Sequence, residues 1–323
     1  NCLYNQYNKK LKSILQMTEN KLNIGVIGTG YLGRFHLEKY QNNENVNVRW
    51  VVDKNIKGIN LDVKKNVQKT NDYRDIINDV DAVSIVTPTS CHYEIAKYFI
   101  KNKVHVLVEK PMTRTVSEAK KLNQLAEDNN IILQVGHLER FNPVMKKLKT
   151  EVSNPVFIEV HRLSEFNPRS TDVNVVHDLM IHDIDLILSL MNKKIKKVSA
   201  FGRKIITNST DIANVRIEFI DESIANLTSS RISAKNERKF RVFESNKYFS
   251  VDFLESNIKI FSKNQKNSSD LYSRKEHSYD KSDSLKAEIE NFVLSCMGKE
   301  KPLVTGIDGM NALKVADDIS KKL

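Results

Sequence analysis

Three glycines in six residues, Gly28-Thr29-Gly30-Tyr31-Leu32-Gly33, follow an apolar run at Asn23–Ile27 and open an amphipathic stretch at Tyr31–Tyr40. That spacing permits a tight turn at Gly28, approach of a phosphate to the backbone at Gly30, and close packing of helix on strand at Gly33. The six residues therefore dictate strand, turn and helix, with the helix N-terminus turned to an anion. The alternation continues. Apolar runs at Val48–Val52, Ala82–Val86, Val104–Val108 and Ile131–Val135 are separated by helical stretches at His92–Lys101 and Ser117–Asp128. Such βαβα order predicts a parallel, doubly wound sheet.

A dinucleotide is the ligand this arrangement suits. Asp53 follows the second apolar run directly, at the distance from Gly33 where a carboxylate accepts hydrogen bonds from the adenosine ribose and repels a 2′-phosphate. The expected cofactor is NAD rather than NADP. The cofactor-binding residues are then Gly28, Gly30, Tyr31, Leu32, Gly33 and Asp53. Thr87 and Pro88 join them after the third strand, with His92 at the start of the next helix.

Glu109-Lys110-Pro111 closes another apolar run, at the carboxyl end of a parallel strand, where open α/β sheets bind ligands. Proline fixes the backbone beside the lysine, so its ammonium is positioned. A second chemical stretch is His177-Asp178-Leu179-Met180-Ile181-His182-Asp183-Ile184-Asp185. On a helix, Asp178, His182 and Asp185 share one stripe, and Asp178 would orient His182 as a proton acceptor. His177 and His182 are five apart, which splays their rings, so no metal is expected.

The 323 residues exceed one core, so two domains are expected: 17–142 binding NAD and 143–323 binding substrate, behind a disordered extension at 1–16. The last helix is a candidate to pack back on the first domain. Past Pro143 the pattern changes to closely spaced β runs: Val156–Leu163, Val198–Ile206, Ile212–Ile220, Ser223–Arg231, Lys239–Glu244 and Tyr248–Phe253. These predict hairpins in an antiparallel sheet. Asn174–Leu190 reads as one helix, Ser284–Met297 and Asp308–Lys322 as two more, and Ser262–Ser284 as a polar surface loop. The net charge of +11 is carried mostly by scattered lysines, without a helix-turn-helix or zinc pattern, so no nucleic acid is expected. No apolar run is long enough to cross a membrane. Three unpaired cysteines fit a reducing, cytoplasmic setting.

Taken in order, Gly-x-Gly-x-x-Gly, Glu109-Lys110-Pro111 and Asp178-x3-His182-x2-Asp185 resemble the Gfo/Idh/MocA oxidoreductases. The resemblance implies an N-terminal Rossmann domain, a C-terminal α/β domain with an open, mostly antiparallel sheet, and homo-oligomers, dimers or tetramers, built on that sheet. It also implies a cis peptide before Pro111. A narrower resemblance, carried by Val135-Gly136-His137-Leu138-Glu139-Arg140-Phe141-Asn142-Pro143 and the 177–185 segment, is to the UDP-N-acetylglucosamine 3-dehydrogenases that supply amino-sugar precursors of lipid A. His177 departs from the wider family, where a small residue is common. The implied chemistry is oxidation of a sugar hydroxyl, with Lys110 and His182 sharing the proton work and Asp178 tuning them. Glu109 would lie at the cofactor. A small-molecule substrate with a diphosphate needs cations, for which Arg140, Arg162 and Arg169 are candidates, beside Asp178 and His182. The competing readings are a dehydrogenase of a simple polyol or free sugar, and a non-catalytic dinucleotide sensor.

Overall fold

The computed structural model describes residues 21–58, 61–167, 173–264, 270–280 and 283–323. Where the sequence predicts one boundary at 142/143, the compact units are discontinuous. Of the described residues, the first holds those up to Glu109, then Gln124–Gln134 and Ile289–Pro302; the second holds those of Lys110–Asn123, Val135–Glu288 and Leu303–Leu323.

The sheet of the first unit is built from β1 (Leu22–Ile27), β2 (Val46–Val52), β3 (Gln68–Thr70), β4 (Ala82–Ile85), β5 (His105–Glu109) and β6 (Leu133–Gly136), in the order β3-β2-β1-β4-β5-β6. The pairs β1–β2, β1–β4, β2–β3 and β4–β5 are parallel. All four side chains of β4 are buried, as in a sheet covered on both faces, which is why these strands read as continuous apolar runs. Helices α1 (Tyr31–Gln41), α2 (Thr89–Lys101) and α3 (Val116–Asp128) alternate with the strands. The short edge strand β3 is polar and left no apolar signal in the sequence. The strand order reverses between β1 and β4, and the crevice at such a switch point is where a doubly wound sheet takes its ligand.

The second unit carries an eight-stranded sheet, β14-β13-β12-β11-β7-β10-β9-β8. Its strands are β7 (Phe157–Leu163), β8 (Ile195–Arg203), β9 (Ile212–Phe219), β10 (Ile224–Ser230), β11 (Glu237–Phe243), β12 (Lys247–Asp252), β13 (Asn257–Lys263) and β14 (Tyr272–Ser278). Only β7 and β10 pair in parallel; the other pairs are antiparallel. Alternate residues such as Ile158, Val160, Leu227, Phe240 and Val242 face a core shared with α4 (Pro143–Glu151), α5 (Ile181–Met191) and α7 (Gly306–Ser320). The helix α6 (Ser284–Cys296) precedes α7.

Two expectations change here. The polar stretch expected as a loop at Ser262–Ser284 contains the end of β13 and all of β14, whose side chains are nearly all exposed, so an edge strand had no apolar alternation to reveal it. The helix expected at Asn174–Leu190 begins as a wider π turn, Val176–Met180, before α5 takes over. The last helix, α7, packs on α5 and that π turn, and its N-terminal end also meets Asn123 of α3 and Val135 of β6. Among the described residues no helix is long and apolar enough to cross a membrane.

Candidate active site

The glycines of the first unit act as the spacing requires. Gly28 has φ +91°, and a Cβ there would lie 2.4 Å from the Val86 carbonyl oxygen. A Cβ on Gly33 would lie 2.0 Å from the Gly28 carbonyl oxygen, whereas one on Gly30 would meet nothing within 4 Å. Gly30 is the N-cap of α1, and no side chain caps it. The first N–H groups of that helix therefore need an outside acceptor. Tyr31 is exposed and Leu32 half-buried on the same turn.

Asp53 faces this turn. Its Oδ2 accepts hydrogen bonds from the Thr29 N–H and hydroxyl, both at 2.8 Å, and Oδ1 accepts from the Asn55 N–H at 3.0 Å. Partial burial, the largest influence, pushes its pKa up, but these hydrogen bonds together outweigh it and hold the carboxyl below its ordinary value. The Thr87 hydroxyl is buried with no hydrogen-bond partner among the described residues. Pro88 leads into α2, whose first turn contains His92; its Nε2–H donates to the Thr87 carbonyl at 2.7 Å. An uncapped helix N-terminus, an open Gly30, a fixed carboxylate and an orphaned hydroxyl fit a dinucleotide. Glu109 is buried against His36 Nε2 at 3.2 Å, and His36 Nδ1 meets Ser84 Oγ at 2.8 Å. Sequence reasoning missed this internal pairing because His36 lies on an ordinary apolar helix face.

The second unit holds the proton-handling groups. Lys110 Nζ donates to the Asp178 carbonyl at 2.8 Å and lies 3.5 Å from Asp178 Oδ1, across a cis Lys110–Pro111 peptide. Both side chains are about one-fifth exposed. The Asp178 carbonyl belongs to the π turn, a widened geometry often found at functional sites. His182 is half-buried, yet its Nδ1 is fully buried and meets no hydrogen-bond partner among the described residues. Its ring stands edge-on to that of His137, with centroids 6.2 Å apart. Burial first, then the charges of Lys110, Arg162, His137 and Arg238, push its pKa well below the ordinary imidazole value. The imidazole is thus neutral near pH 7.

The expected orientation of His182 by Asp178 is not made. Asp178 turns to Lys110 and makes no hydrogen bond to His182 Nδ1, while Asp185 grips Arg140. The π turn holds Asp178 outside the regular register of α5, whereas His182 and Asp185 both lie within that helix.

The expected phosphate cations need correction too. Arg140 holds Asp185 through two hydrogen bonds, 2.6 and 2.8 Å, with Asp308 at 3.6 Å. Arg162 holds Asp183 at 2.8 and 2.9 Å and Glu139 at 3.2 Å. Both arginines are buried; burial alone would lower their pKa values, and the facing carboxylates raise them instead. Guanidiniums so committed are the inner struts of the unit, without a free fork for a diphosphate. Arg169 lies outside the described residues. His177 pairs with Asp317 of α7 at 2.8 Å, which explains why a large residue stands at this position. His137, Glu139 and Asp183 fall within the segments that carry the narrower resemblance, but no spacing announced their place in this cluster, and Arg238 joins them only through the pairing of β11 with β7. A cavity of about 440 Å³ opens beside Asp178 and Leu179, walled by residues 164–167, Arg231 and Asn236.

Residues 22–137 match the oxidoreductase family with an NAD-binding Rossmann fold, and residues 148–249 match the GFO/IDH/MocA C-terminal domain. The UDP-N-acetylglucosamine 3-dehydrogenase of Acidithiobacillus ferrooxidans is 33% identical over 296 residues, covering 90% of this chain and 94% of that protein. The chain belongs to the Gfo/Idh/MocA oxidoreductase family. A solved structure of the same Acidithiobacillus enzyme superposes with TM-score 0.85, at 31% identity, over 94% of this chain and 98% of that one. The myo-inositol 2-dehydrogenase of Thermotoga maritima is 25% identical over 94% of this chain and 96% of its own length. The scyllo-inositol dehydrogenase of Lactobacillus casei shares the fold, with TM-score 0.78 at 19% identity over 94% of this chain and 97% of its own. The family, the Rossmann fold with its second α/β domain, and NAD as cofactor all stand as the motifs implied.

Proposed function

We propose that this family member oxidises a secondary hydroxyl of a nucleotide-linked sugar, the 3-hydroxyl of UDP-N-acetylglucosamine. The similarity to the Acidithiobacillus enzyme supports the substrate, and the Lys110–Asp178–His182 arrangement supports the chemistry. That arrangement is the observation that carries the reading, since a binding-only sensor has no use for a lysine–aspartate pair beside a neutral, half-buried imidazole.

Oxidising CH–OH to C=O releases one hydride and one proton. Bound NAD supplies the hydride acceptor. In this reading His182 accepts the hydroxyl proton, and Lys110 hydrogen-bonds the same oxygen as negative charge develops on it. Asp178 positions the Lys110 ammonium through its carbonyl and carboxylate. Gly28–Gly33 and Asp53 hold the dinucleotide through backbone N–H groups and a ribose-directed carboxylate, with Tyr31, Leu32, Thr87, Pro88 and His92 around it.

Incubating the protein with NAD and UDP-N-acetylglucosamine, and separately with inositols and free sugars, tests the substrate. The expected product by mass spectrometry is the nucleotide sugar lacking two hydrogens. Turnover of the polyols alone would replace this reading with the inositol-type activity of the Thermotoga relative.

We also infer a homo-oligomer formed through the outer face of the eight-stranded sheet. Phe157, Phe243, Tyr248, Phe261 and Tyr272 form a row of ring contacts across five strands there, all partly exposed. Light scattering of the purified protein tests it, and a monomer at micromolar concentration would refute it.

A further inference from the structure

The inner face of β11 carries one residue that the family chemistry leaves unexplained. Arg238, Phe240 and Val242 alternate onto the same face, and the last two are core residues. Outward from the same strand, Lys239 and Arg241 pair with Asp252 and Glu159. Arg238 thus belongs to the inner set, at the end of the strand, in register with Arg162 of β7. Two arginines directly opposite each other repel, so the placement costs stability unless something offsets it.

The two arginines are provided for unequally. Arg162 has both oxygens of Asp183 and Glu139, and its side chain is 5% exposed. Arg238 has only Glu139 Oε1 at 3.3 Å, an oxygen already serving Arg162, and its side chain is 47% exposed. Among the described residues Arg238 meets no second acceptor. Burial of its base and the adjacent Arg162 charge both lower its pKa, as happens to a cation anchored in a recess and incompletely neutralised. The opening lies in the right neighbourhood. Arg238 is one of the charges that disfavour protonation of His182, and Asn236, two residues earlier, lines the cavity that Asp178 borders.

We propose that Arg238 binds an oxyanion of the substrate, of the phosphate-ester class, beside the Lys110–His182 cluster. Glu139 holds the guanidinium from behind, and the open part of its fork suits two oxygens of one phosphoryl group. A neutral polyol has no group to place there, so the residue discriminates between the two substrate classes. This rests on the nucleotide-sugar reading and assigns it a cation in place of Arg140 and Arg162.

Calorimetric titration with UDP, on the full-length protein already saturated with NAD, separates the possibilities without needing turnover. Wild type is expected to bind UDP, Arg238→Met to bind it at least tenfold more weakly, and Arg238→Lys to fall between them, because a point ammonium lacks the fork. In turnover, Arg238→Met is expected to raise KM for UDP-N-acetylglucosamine far more than it lowers kcat. Unchanged NAD binding and melting temperature in both variants show that they fold. Equal UDP affinity in wild type and Arg238→Met overturns the assignment of Arg238 while leaving the nucleotide-sugar reading intact. Failure of wild type to bind UDP, together with turnover of inositols, overturns that reading and this proposal with it.

Discussion

The cofactor loop of the first unit and the charged cluster of the second are made of different materials. The loop is backbone: Gly28, Gly30 and Gly33 work by lacking side chains, and all three fall within six residues. The cluster is side chains: Lys110 reaches Asp178, Arg162 reaches Asp183 and Glu139, and Arg140 reaches Asp185, across separations of 68, 21, 23 and 45 residues. A backbone site tolerates almost any flanking side chain but no added Cβ. A side-chain site tolerates backbone adjustment but not the loss of a partner, because each buried charge depends on the next. Variants in the two units should therefore fail in different ways.

The largest effects belong to the cluster. His182→Asn should lower kcat on the order of 10²–10⁴-fold, the usual contribution of a positioned base, with melting temperature and NAD affinity unchanged. Pairing Lys110→Ala with His182→Ala should abolish NADH formation. A double variant that still turns over at the wild-type rate would remove both residues from the chemistry.

Next in size is stability. Arg162→Met strips buried Asp183 of its hydrogen-bonded cation and leaves Glu139 only the longer contact to Arg238. Stripping one partner from a buried ion pair costs about 3–5 kcal/mol, readable by denaturant melts of the cofactor-free protein. Since apolar replacement of a whole pair is often tolerated, Arg162→Met with Asp183→Leu should recover part of the loss. A single variant as stable as wild type would mean the strut carries no weight.

The same contrast decides how far the sequence could be read. Gly28–Gly33, Asp53 and the strand–helix alternation are local signals, so the Rossmann half was legible from spacing. Lys110, Asp178 and His182 were visible because their motifs are short. Their geometry was not, since it turns on a π turn that no residue pattern announces. Arg140 and Arg162 looked like phosphate binders because an isolated arginine in a sequence has no visible partner. The packing of α5 against β7 and the 138–141 turn decides that, and this is a long-range fact. Arg238 was hidden for the same reason: its neighbours Arg162 and Glu139 lie far away in the sequence, and only the pairing of β11 with β7 brings them together.

Smaller effects separate the glycines from one another. At Gly33 an added Cβ meets backbone at 2.0 Å, so Gly33→Ala must shift α1 against β1 and should cost about 1–3 kcal/mol, as overpacking does. Gly30→Ala meets nothing and should leave the melting temperature unchanged. It should still weaken NAD by about tenfold, about 1.4 kcal/mol, because the methyl group occupies the approach of the pyrophosphate. If Gly30→Ala binds NAD normally, the open space at that position is not the cofactor's path.

The smallest expected effect is one that fails to appear near neutrality. An ordinary imidazole titrates near pH 6.5, but burial and the surrounding cations hold His182 well below that. If His182 is the base, kcat/KM should not fall as pH drops from about 7.5 to about 6.5, and the acid limb should appear only below that range. Stability follows with a definite sign. Below about pH 6.5 the unfolded chain protonates this histidine while the folded one resists, so the unfolded state binds more protons and stability declines as pH falls. The decline levels off only once the folded histidine also titrates. Arg238→Met removes one of the charges that hold His182 neutral, so its acid limb should move to higher pH than that of wild type, while Gly30→Ala should leave the limb where it is. An acid limb at or above pH 6.5 in wild type would take the proton-accepting role away from His182 and return it to Lys110.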